Sequence, residues 1–385
     1  MKAKGNDFQI FSEASSKMFH GENPLYPNYN SPPFAALFYS PFTLLSFNAA
    51  FAVHFALLII ANLLSFTLLL PLLQWSAERE ISPTTPDWLV PAFLAIAALF
   101  CIQFQLRSYG FEFALERGNY DSFALLGIAA GLYFALLKPQ DVWLSLICFT
   151  LATHLKVYPA LFLVLLLLYR GGRVVLPMLC LNLALLFCFG FQRGMEFLAG
   201  LYRYTLSPFV WQYNHSALSF SVQYFEKLFP AWLAPGTIHL ISMFILVGVP
   251  VVLWGHGIVR LRARTNSPRT GLLIAALSMP LLSFIPSVSH DYKLVIQILP
   301  LFVGIFYFSL AYLQSGSWRS LSGVILILIC AALLARPTRF PNFPFLDNKY
   351  PALFLLQCLI YSLILSEPQS AQLPESPSPL ETARA

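Results

Sequence analysis

The sequence predicts an all-α, polytopic membrane protein, and three observations support this fold class. Apolar residues make up 58% of the 385-residue chain, and charged residues only 10%. The mean hydropathy is +0.68. A water-soluble chain of this length covers its core with far more charge than this. Finally, apolar runs recur at about the length that crosses ~30 Å of hydrocarbon, which is typical of a helical membrane protein.

Eleven apolar segments are predicted to be membrane helices, with bounds good to a few residues. Their approximate ranges are 43–73, 88–106, 119–137, 142–155, 157–169, 174–191, 237–259, 271–289, 294–314, 320–335 and 350–366. The fourth and fifth segments are short, and they either remain separate or form one span bent near Pro159, which gives ten to eleven helices. We expect residues 1–366 to form one integral membrane domain and the Pro-, Ser- and Glu-rich tail, 367–385, to be disordered on the cytoplasmic side.

Basic residues near the span ends predict the orientation in the membrane. Two dense clusters, Arg170 to Arg173 and Arg260 to Arg269, fall on the same side in this count, and such clusters mark the cytoplasmic face. The external face then holds a first loop at 1–42 and a large loop at 192–236. We expect a multi-pass protein of the plasma (inner) membrane with an external or periplasmic active face. The net charge of +6 is scattered over the loops and does not indicate nucleic acid.

The predicted topology places the start of the chain on the external side, with no helix to carry it across. A further transmembrane helix upstream of Met1 is therefore expected. The alternative is unaided translocation of the N-terminus, which is rarer for a segment that carries Lys2, Lys4 and Lys17.

Asp7 stands at the head of a polar, aromatic and proline-rich segment, residues 7–41, that precedes the apolar series. A polar segment of this kind before a long series of membrane spans indicates a functional external loop. A carboxylate at the membrane surface, partly desolvated by neighbouring aromatic side chains, is suited to general-base chemistry. The simpler alternative is an exposed loop acid. We predict that Asp7 is a catalytic base.

Two further polar motifs interrupt the apolar runs on the predicted external face. Gly118-Asn119-Tyr120-Asp121, preceded by Arg117, opens a helix. Asn119 or Asp121 either caps the N-terminus of that helix or binds a sugar hydroxyl. Lys156 lies between two apolar runs, where it either snorkels to the surface or binds an anion such as a phosphate.

Two segments of the later loops offer more hydrogen-bonding groups. Asn214-His215-Ser216 lies in the aromatic-rich loop 192–236, whose rings either form an interfacial belt or stack on sugars. The segment Ser287 to Lys293, which includes His290 and Tyr292, lies between two predicted spans. Its polar residues either pair with one another in a turn or take part in a site. The sequence contains no zinc-ligand spacing, nucleophile elbow or phosphate-binding glycine loop.

These motifs, in this order, resemble those of the polyprenyl-phosphate-sugar-dependent glycosyltransferases of family 87, which have the GT-C architecture. The family pattern begins with an acid in the first external loop and ends with a His-Tyr-like segment. The matching segments here are Asp7, Gly21 to Tyr26, Pro32-Pro33 with Pro41, Gly118 to Asp121, Lys156 to Pro159 with Arg170 and Arg173, Asn214 to Ser216, and Ser283 to Tyr292. The resemblance covers residues 7 to about 300. Each motif is weak alone, so the order carries the resemblance.

The sequence departs from the family pattern at three places. Asn119 and Asp121 replace the usual Gln and Asn, which bears on the sugar preference. Asp291 separates the histidine from the tyrosine in the last motif. The helix that normally precedes the catalytic acid is not in this sequence.

The resemblance implies a hexosyltransferase that moves a sugar, most often mannose, from a polyprenyl monophosphate on the outer leaflet with inversion. Asp7 would deprotonate the acceptor hydroxyl, and Lys156, helped by Arg107 or Arg117, would hold the leaving phosphate. Contacts with the sugar or acceptor are expected from Asn119, Asp121, Asn214, His215, His290 and Tyr292. The expected partners are the lipid donor, a lipid-linked or glycan acceptor and membrane lipids, with no metal, cofactor or nucleic acid.

The main alternative is a transporter or flippase of lipid-linked saccharides. A transporter places ionisable residues at mid-membrane on broken helices, often in repeated halves. Here the ionisable residues gather at one predicted face, and no convincing repeat is present. A third hypothesis is a different GT-C enzyme, such as a ligase or an aminoarabinose transferase. Those enzymes usually carry a large C-terminal soluble domain or a different acid pair in the first loop.

Overall fold

A computed structural model describes residues 5–24, 31–78, 88–206, 210, 213–230, 232–262, 268–286, 288–337 and 340–366 of the chain. These residues form helices joined by turns and contain no strand, so the predicted all-α fold class is confirmed. The tail 367–385, which the sequence predicts to be disordered, lies outside them.

The described part of the chain forms eighteen α-helices. In chain order they are α1 (Asn6–Phe19), α2 (Pro33–Tyr39), α3 (Phe47–Glu78), α4 (Leu89–Arg107), α5 (Tyr109–Arg117), α6 (Asp121–Leu137), α7 (Val142–Leu155), α8 (Ala160–Arg170), α9 (Val175–Leu186), α10 (Phe191–Leu206), α11 (Ala217–Phe220), α12 (Pro235–Met243), α13 (Val249–Arg262), α14 (Pro268–Ser278), α15 (Leu281–Phe284), α16 (Ile298–Ser315), α17 (Trp318–Ala335) and α18 (Tyr350–Ser366). Short 3₁₀ or π turns extend several of them, such as Gly171–Val174, Phe244–Gly248 and Asp291–Gln297.

Six helical segments within the described ranges are long and apolar enough to cross a membrane. They are Phe47–Ala77, Leu89–Arg107, Ala160–Leu186, Pro235–Leu261, Asp291–Ser315 and Trp318–Ala335. A seventh results if α5 and α6, which meet at 115°, are counted as one broken span. Val142–Leu155, Pro268–Phe284 and Tyr350–Ser366 are shorter apolar helical segments. The predicted polytopic membrane architecture is thus confirmed, although six or seven membrane-capable segments are fewer than the ten to eleven predicted. The predicted ranges all fall on helices, and two of them, 237–259 and 271–289, each cover two helices.

α8 and α9 are continuous in the chain but run antiparallel. Phe162 of α8 stacks on Phe149 of α7, with ring centroids 5.5 Å apart. Asn182 of α9 contacts His154 near the C-terminal end of the same helix, with 3.1 Å between Oδ1 and Nε2. α7 has only 14 residues, so a straight helix could not bring both residues against its C-terminal half. The chain therefore reverses at the turn Gly171–Val174 within the segment Ala160–Leu186, and the two arms, of 11 and 12 residues, are each shorter than the ~20 residues that cross a bilayer.

The basic clusters and the polar motifs lie at opposite ends of the helix bundle. α6 begins at Asp121, and Arg170 donates a hydrogen bond of 2.9 Å to the Ala135 carbonyl near the far end of that helix. α18 begins next to the loop that contains Asn348, and Arg260 donates a bond of 3.1 Å to Leu365 at its far end. We call the end that holds the first turns of α6 and α18 the polar end, and the opposite one the arginine end.

The predicted first external loop, 1–42, contains two helices. Phe8 of α1 is fully buried, and its ring centroid lies 5.8 Å from that of Tyr39 and 5.7 Å from those of Phe42 and Phe51. These aromatic contacts hold α1 against α2 and the start of α3. Burial of this much aromatic surface explains why a polar segment folds here instead of remaining a loose loop.

The predicted large external loop, 192–236, is also mostly helical where the structure describes it. α10 is an amphipathic helix whose Arg193 donates a hydrogen bond of 2.6 Å to the Gly21 carbonyl just beyond α1. Trp211, one of the predicted belt aromatics, lies outside the described residues. The loop therefore packs over the polar end beside α1.

Candidate active site

A cavity of about 630 Å³ lies at the polar end, within the usual size range of ligand pockets. Its charged lining residues, among those described, are Asp7, Lys156 and Lys293. Its neutral polar lining residues are Ser31, Asn119, Tyr158 and Tyr292, and the rest of the lining is apolar. A smaller cavity of about 90 Å³ between α6, α8 and α14 has no charged lining residue among those described. The chemistry is therefore concentrated in the larger cavity.

A glycine at the junction of α5 and α6 lets Asp7 approach the two helices. Gly118 has φ of 68°, and a Cβ atom there would lie 2.6 Å from the Cβ of Phe8. Only glycine combines this left-handed conformation with so close an approach of α1. Asp7 occupies the first turn of α1, where the helix dipole favours a negative charge.

Asp7, Arg117 and Asn119 form a group that we call the Asp7 group. Arg117 Nε donates to Oδ1 of Asp7 at 2.8 Å, and a second guanidinium nitrogen contacts the same oxygen. Asn119 Nδ2 donates to Oδ2 at 3.0 Å. Asp7 is buried, yet it lines the cavity, and it is the only carboxylate that does so among the described residues. The two partners fix the orientation of a carboxylate that faces the cavity.

Asp121, Lys156 and Tyr158 form a second group, the Asp121 group. Asp121 is fully buried and does not line the cavity. The Tyr158 hydroxyl donates to its Oδ1 at 2.5 Å, and Lys156 Nζ lies 3.3 Å from its Oδ2. Burial, followed by the charge of Asp121, raises the pKa of Tyr158 well above its usual value. The phenol therefore remains protonated and keeps donating to the carboxylate.

The capping interpretation of Asn119 and Asp121 is not what the structure shows. The residue at the N-cap of α6 is Tyr120, and no side chain makes a capping hydrogen bond there. The amide of Asn119 is directed to Asp7, and the Asp121 carboxylate to Tyr158 and Lys156. Both side chains therefore bind residues distant in the sequence and do not cap the helix.

Lys156 lies along the cavity wall and does not snorkel to the surface. Its Nζ is 4.4 Å from the ring centroid of Tyr120 and 5.3 Å from that of Tyr292. Its side chain is 15% exposed. Two aromatic faces and one carboxylate therefore hold the ammonium group beside the cavity.

Asn214 and His215 are fully buried and do not line the cavity. Oδ1 of Asn214 accepts a hydrogen bond of 2.7 Å from the backbone of Ser289. His215 Nδ1 accepts from the backbone N–H of Lys349 at 3.2 Å, so its Nε2 carries the proton and donates to Asp291 Oδ1 at 2.9 Å. We call this set of bonds between loops the loop network. It anchors the turn that carries Tyr292 and Lys293.

Asn348 and Lys349, which belong to no predicted motif, complete the loop network. Asn348 Nδ2 donates to the Asn214 carbonyl at 2.9 Å, and Lys349 Nζ donates to the Arg336 carbonyl at 2.7 Å. Burial lowers the pKa of Lys349. The only sequence signal for their role is a polar run directly before an apolar span.

Two other predicted residues lie outside the cavity lining. Arg107 is exposed at the end of α4. His290 is half-buried, and its ring lies 5.4 Å from that of Tyr292. Burial, followed by the charge of Lys293, lowers the pKa of His290 to about 4. The structure thus brings Asp7, Arg117 and Asn119 together, and it places Tyr292 beside Lys156.

Comparison with known proteins identifies the family of the chain. The family model for glycosyltransferase family 87 matches residues 29–283, which is more than half of the chain. The match includes Asn119, Asp121 and Lys156, while Asp7 and Tyr292 lie outside it. No curated protein and no solved structure matches the chain.

Proposed function

Since the chain belongs to glycosyltransferase family 87, it is a membrane glycosyltransferase, and we propose that it uses a polyprenyl monophosphate sugar as donor. The transferred sugar is a hexose, most often mannose in this class, and the acceptor is a hydroxyl of a lipid-linked or glycan molecule. The proposal includes the GT-C architecture, inversion at the anomeric carbon, and location in the plasma membrane.

One observation carries this proposal. A single cavity is lined by one oriented carboxylate, Asp7, and by the ammonium groups of Lys156 and Lys293. Transfer from a lipid phosphate needs both kinds of group, because a proton leaves the acceptor while negative charge develops on the phosphate. A nucleotide sugar would call for a nucleotide-binding loop, and the sequence contains no such motif.

In the proposed reaction, Asp7 accepts the proton of the acceptor hydroxyl as its oxygen attacks the anomeric carbon. The bond from that carbon to the phosphate oxygen breaks, and its electron pair remains on the phosphate. Lys156 stabilises the charge that develops there. Arg117 and Asn119 position Asp7 for the proton transfer, since both its oxygens are held.

The neutral part of the lining suits the sugar and the lipid chain. The side-chain oxygen of Asn119 is buried and accepts no hydrogen bond from the described residues, so it is available to a sugar hydroxyl. Leu201, Leu218, Met243 and Ile285 form an apolar part of the lining. Apolar surface of this kind suits a polyprenyl chain.

The two ends of the bundle support the proposed orientation in the membrane. Arg170 and Arg260 contact helix ends far from the cavity. Clustered arginine next to span ends favours the cytoplasmic side. The polar end then faces outward, where the donor sugar and the acceptor meet.

The test is transfer of labelled mannose from polyprenyl-phosphate-mannose in membranes that contain this protein or its Asp7→Asn variant at equal expression. Loss of a general base lowers such rates by about 10²- to 10⁴-fold. Glu13→Gln is the matched control, because Glu13 is an exposed acid on the same helix. It should transfer at the rate of the unaltered protein.

Each outcome of this test separates the hypotheses. Loss of transfer in Asp7→Asn alone supports both the donor class and the base. Equal transfer by both variants leaves the donor class in place and contradicts the role of Asp7. If no sugar is transferred from any polyprenyl-phosphate donor, the proposed donor class is wrong, and transport of a lipid-linked saccharide becomes the hypothesis to measure.

A further inference from the structure

Lys293 is a buried cation for which the proposed reaction has not yet given a role. It is only 9% exposed, lines the cavity and follows Tyr292 in the turn Asp291–Gln297. Its Nζ donates a hydrogen bond of 2.5 Å to the Val288 carbonyl and lies 5.4 Å from the ring centroid of Tyr158. It forms no ion pair with any carboxylate of the described residues.

The charges around the cavity do not balance. Arg117 neutralises Asp7, and among the described residues Asp121 is the only carboxylate beside the two lysines. Lys156 is paired with that carboxylate, so the ammonium form of Lys293 adds one positive charge that no carboxylate of the described residues balances. A buried charge without a partner is costly, which indicates that a ligand supplies the missing negative charge.

The donor groups of Lys293 are also only partly used. An ammonium group has three N–H donors. One of them is satisfied by the Val288 carbonyl, and none of the others has an acceptor among the described residues. Because Lys293 lines the cavity, the remaining donors are available to an anion that enters it.

The position of Lys293 is fixed by packing and not by a flexible loop. A Cβ atom at Gly110 would lie 2.6 Å from the carbonyl oxygen of Asp291, so α5 packs directly on the turn. His215 holds the Asp291 side chain, and Lys293 N donates to the His290 carbonyl at 2.9 Å. The loop network therefore holds this lysine next to the cavity in advance of any ligand.

We propose that Lys293 is a second cationic ligand of the donor phosphate, and that Asp121 is the counter-ion that holds Lys156 in place beside it when no phosphate is bound. The identity of the anion rests on the proposed function.

The reaction favours two lysines because the charge on the phosphate increases during transfer. The phosphodiester of the donor carries one negative charge. When the anomeric carbon–oxygen bond breaks, its electron pair gives the leaving phosphomonoester a second negative charge. The acceptor proton goes to Asp7, and the acceptor oxygen forms the new bond to carbon.

The test is equilibrium binding of farnesyl monophosphate, a short polyprenyl phosphate, to the purified full chain in detergent. Lys293→Met should weaken binding by about ten- to hundredfold, the loss expected for a hydrogen bond between charged groups. Binding of farnesol, which has the same chain without the phosphate, should not change. Lys293→Arg should retain most of the phosphate affinity, because it keeps the charge.

Thermal unfolding of the same variants distinguishes a ligand from a structural residue. If Lys293 serves to bind an anion, Lys293→Met removes a buried charge that is uncompensated in the absence of ligand. The protein should then melt at the same temperature or higher. If its bond to Val288 is structural, the variant should melt at a lower temperature. A lower melting temperature together with equal losses for farnesyl monophosphate and farnesol would overturn the proposal.

Two further outcomes also decide the matter. Unchanged binding of farnesyl monophosphate by Lys293→Met, or no phosphate-dependent binding by the unaltered protein, would overturn the role of Lys293. The control Lys138→Met removes an exposed lysine at the arginine end and should bind like the unaltered protein. Binding is measured without sugar transfer, so failure of the proposed donor in the transfer assay is distinguishable from failure of this inference.

Discussion

Asp7 and Asp121 are two carboxylates at the same end of the bundle in different settings. Asp7 lines the cavity and receives hydrogen bonds from a guanidinium and an amide. Asp121 has no exposed surface and is held by a phenol and an ammonium group. Each carboxylate has one cationic partner, and each is placed at the start of a helix. Access to the cavity is the main difference between them.

Because of this difference, the two acids have different roles. A general base must reach the proton that it removes, and only Asp7 faces the space where an acceptor would bind. Asp121 cannot exchange a proton with a ligand in the cavity, but its charge reaches the lysines on the wall. The two residues are of the same chemical type, so their roles depend on whether the carboxylate lines the cavity or is buried behind its lining.

The largest effect on stability should come from Asp121→Asn. Removing one partner of a buried ion pair costs about 3–5 kcal/mol of unfolding free energy, because the remaining charge stays buried. Here Lys156 loses its partner, and Lys293 loses the one carboxylate that interacts with it in the described part of the chain. Denaturant titration in detergent micelles measures the loss. Asp7→Asn should cost less, because its partner Arg117 is 30% exposed and can be solvated.

The control for this comparison is Asp141→Asn. Asp141 stands at the N-cap of α7, where asparagine caps as well as aspartate does, and its carboxylate makes no capping bond. It should change the unfolding free energy by less than ~0.5 kcal/mol. If Asp121→Asn were as mild as Asp141→Asn, the two acids at the polar end would not differ as the structure indicates.

Tyr158→Phe should have a smaller effect in the same direction. The substitution leaves Oδ1 of Asp121 without its phenol donor, and hydrogen bonds to charged groups contribute about 1.5–3 kcal/mol. Lys156 would still neutralise the carboxylate, so the cost should be below that of Asp121→Asn. The measurement is again denaturant titration. Tyr133→Phe on α6 removes a hydroxyl that forms no hydrogen bond with the described residues, and it should cost little. Equal losses in both variants would contradict the role of Tyr158.

The sequence predicted most of the fold because local properties determine it. Each membrane helix is a run of apolar residues, and all eleven predicted ranges fall on helices, although 237–259 and 271–289 each cover two of them. The bounds differ where the ends are not set by hydropathy. The first span, predicted at 43–73, is the helix Phe47–Glu78, because the turn Ser40–Leu44 precedes it and Pro71 does not end it.

The candidate site was only partly predictable, because its contacts join distant parts of the chain. Asp7, Asn119, Lys156 and Tyr292 were named from the sequence, and all of them line the cavity. Their partners were not assigned, since 110 residues separate Asp7 from Arg117. No local pattern indicates which of several basic residues will be next to a given acid.

The loop network contains residues that were predicted to belong to the site but do not line the cavity. Asn214 and His215 were predicted to contact the sugar, yet they lie buried against Ser289 and Asp291. A polar residue in an aromatic loop has the same sequence signature whether it faces a cavity or another loop. The difference arises from Asn348 and Lys349, which come from a loop 134 residues further along the chain.

The smallest expected effect concerns His290, beside Lys293. Its pKa is lowered from 6.5 to about 4, first by burial and then by the charge of Lys293, with His215 adding to the lowering and Asp291 opposing it. Between these pH values the unfolded chain binds more protons, so the unfolding free energy should fall as the pH drops from 6.5 to 4. His290→Gln should reduce this decline, and the measurement is the difference between the melting temperatures at pH 7 and pH 5. The control His20→Gln, which replaces an exposed histidine, should leave that difference unchanged. An unchanged decline in His290→Gln would mean that a charged imidazole is tolerated beside Lys293, which would contradict an excess of positive charge there.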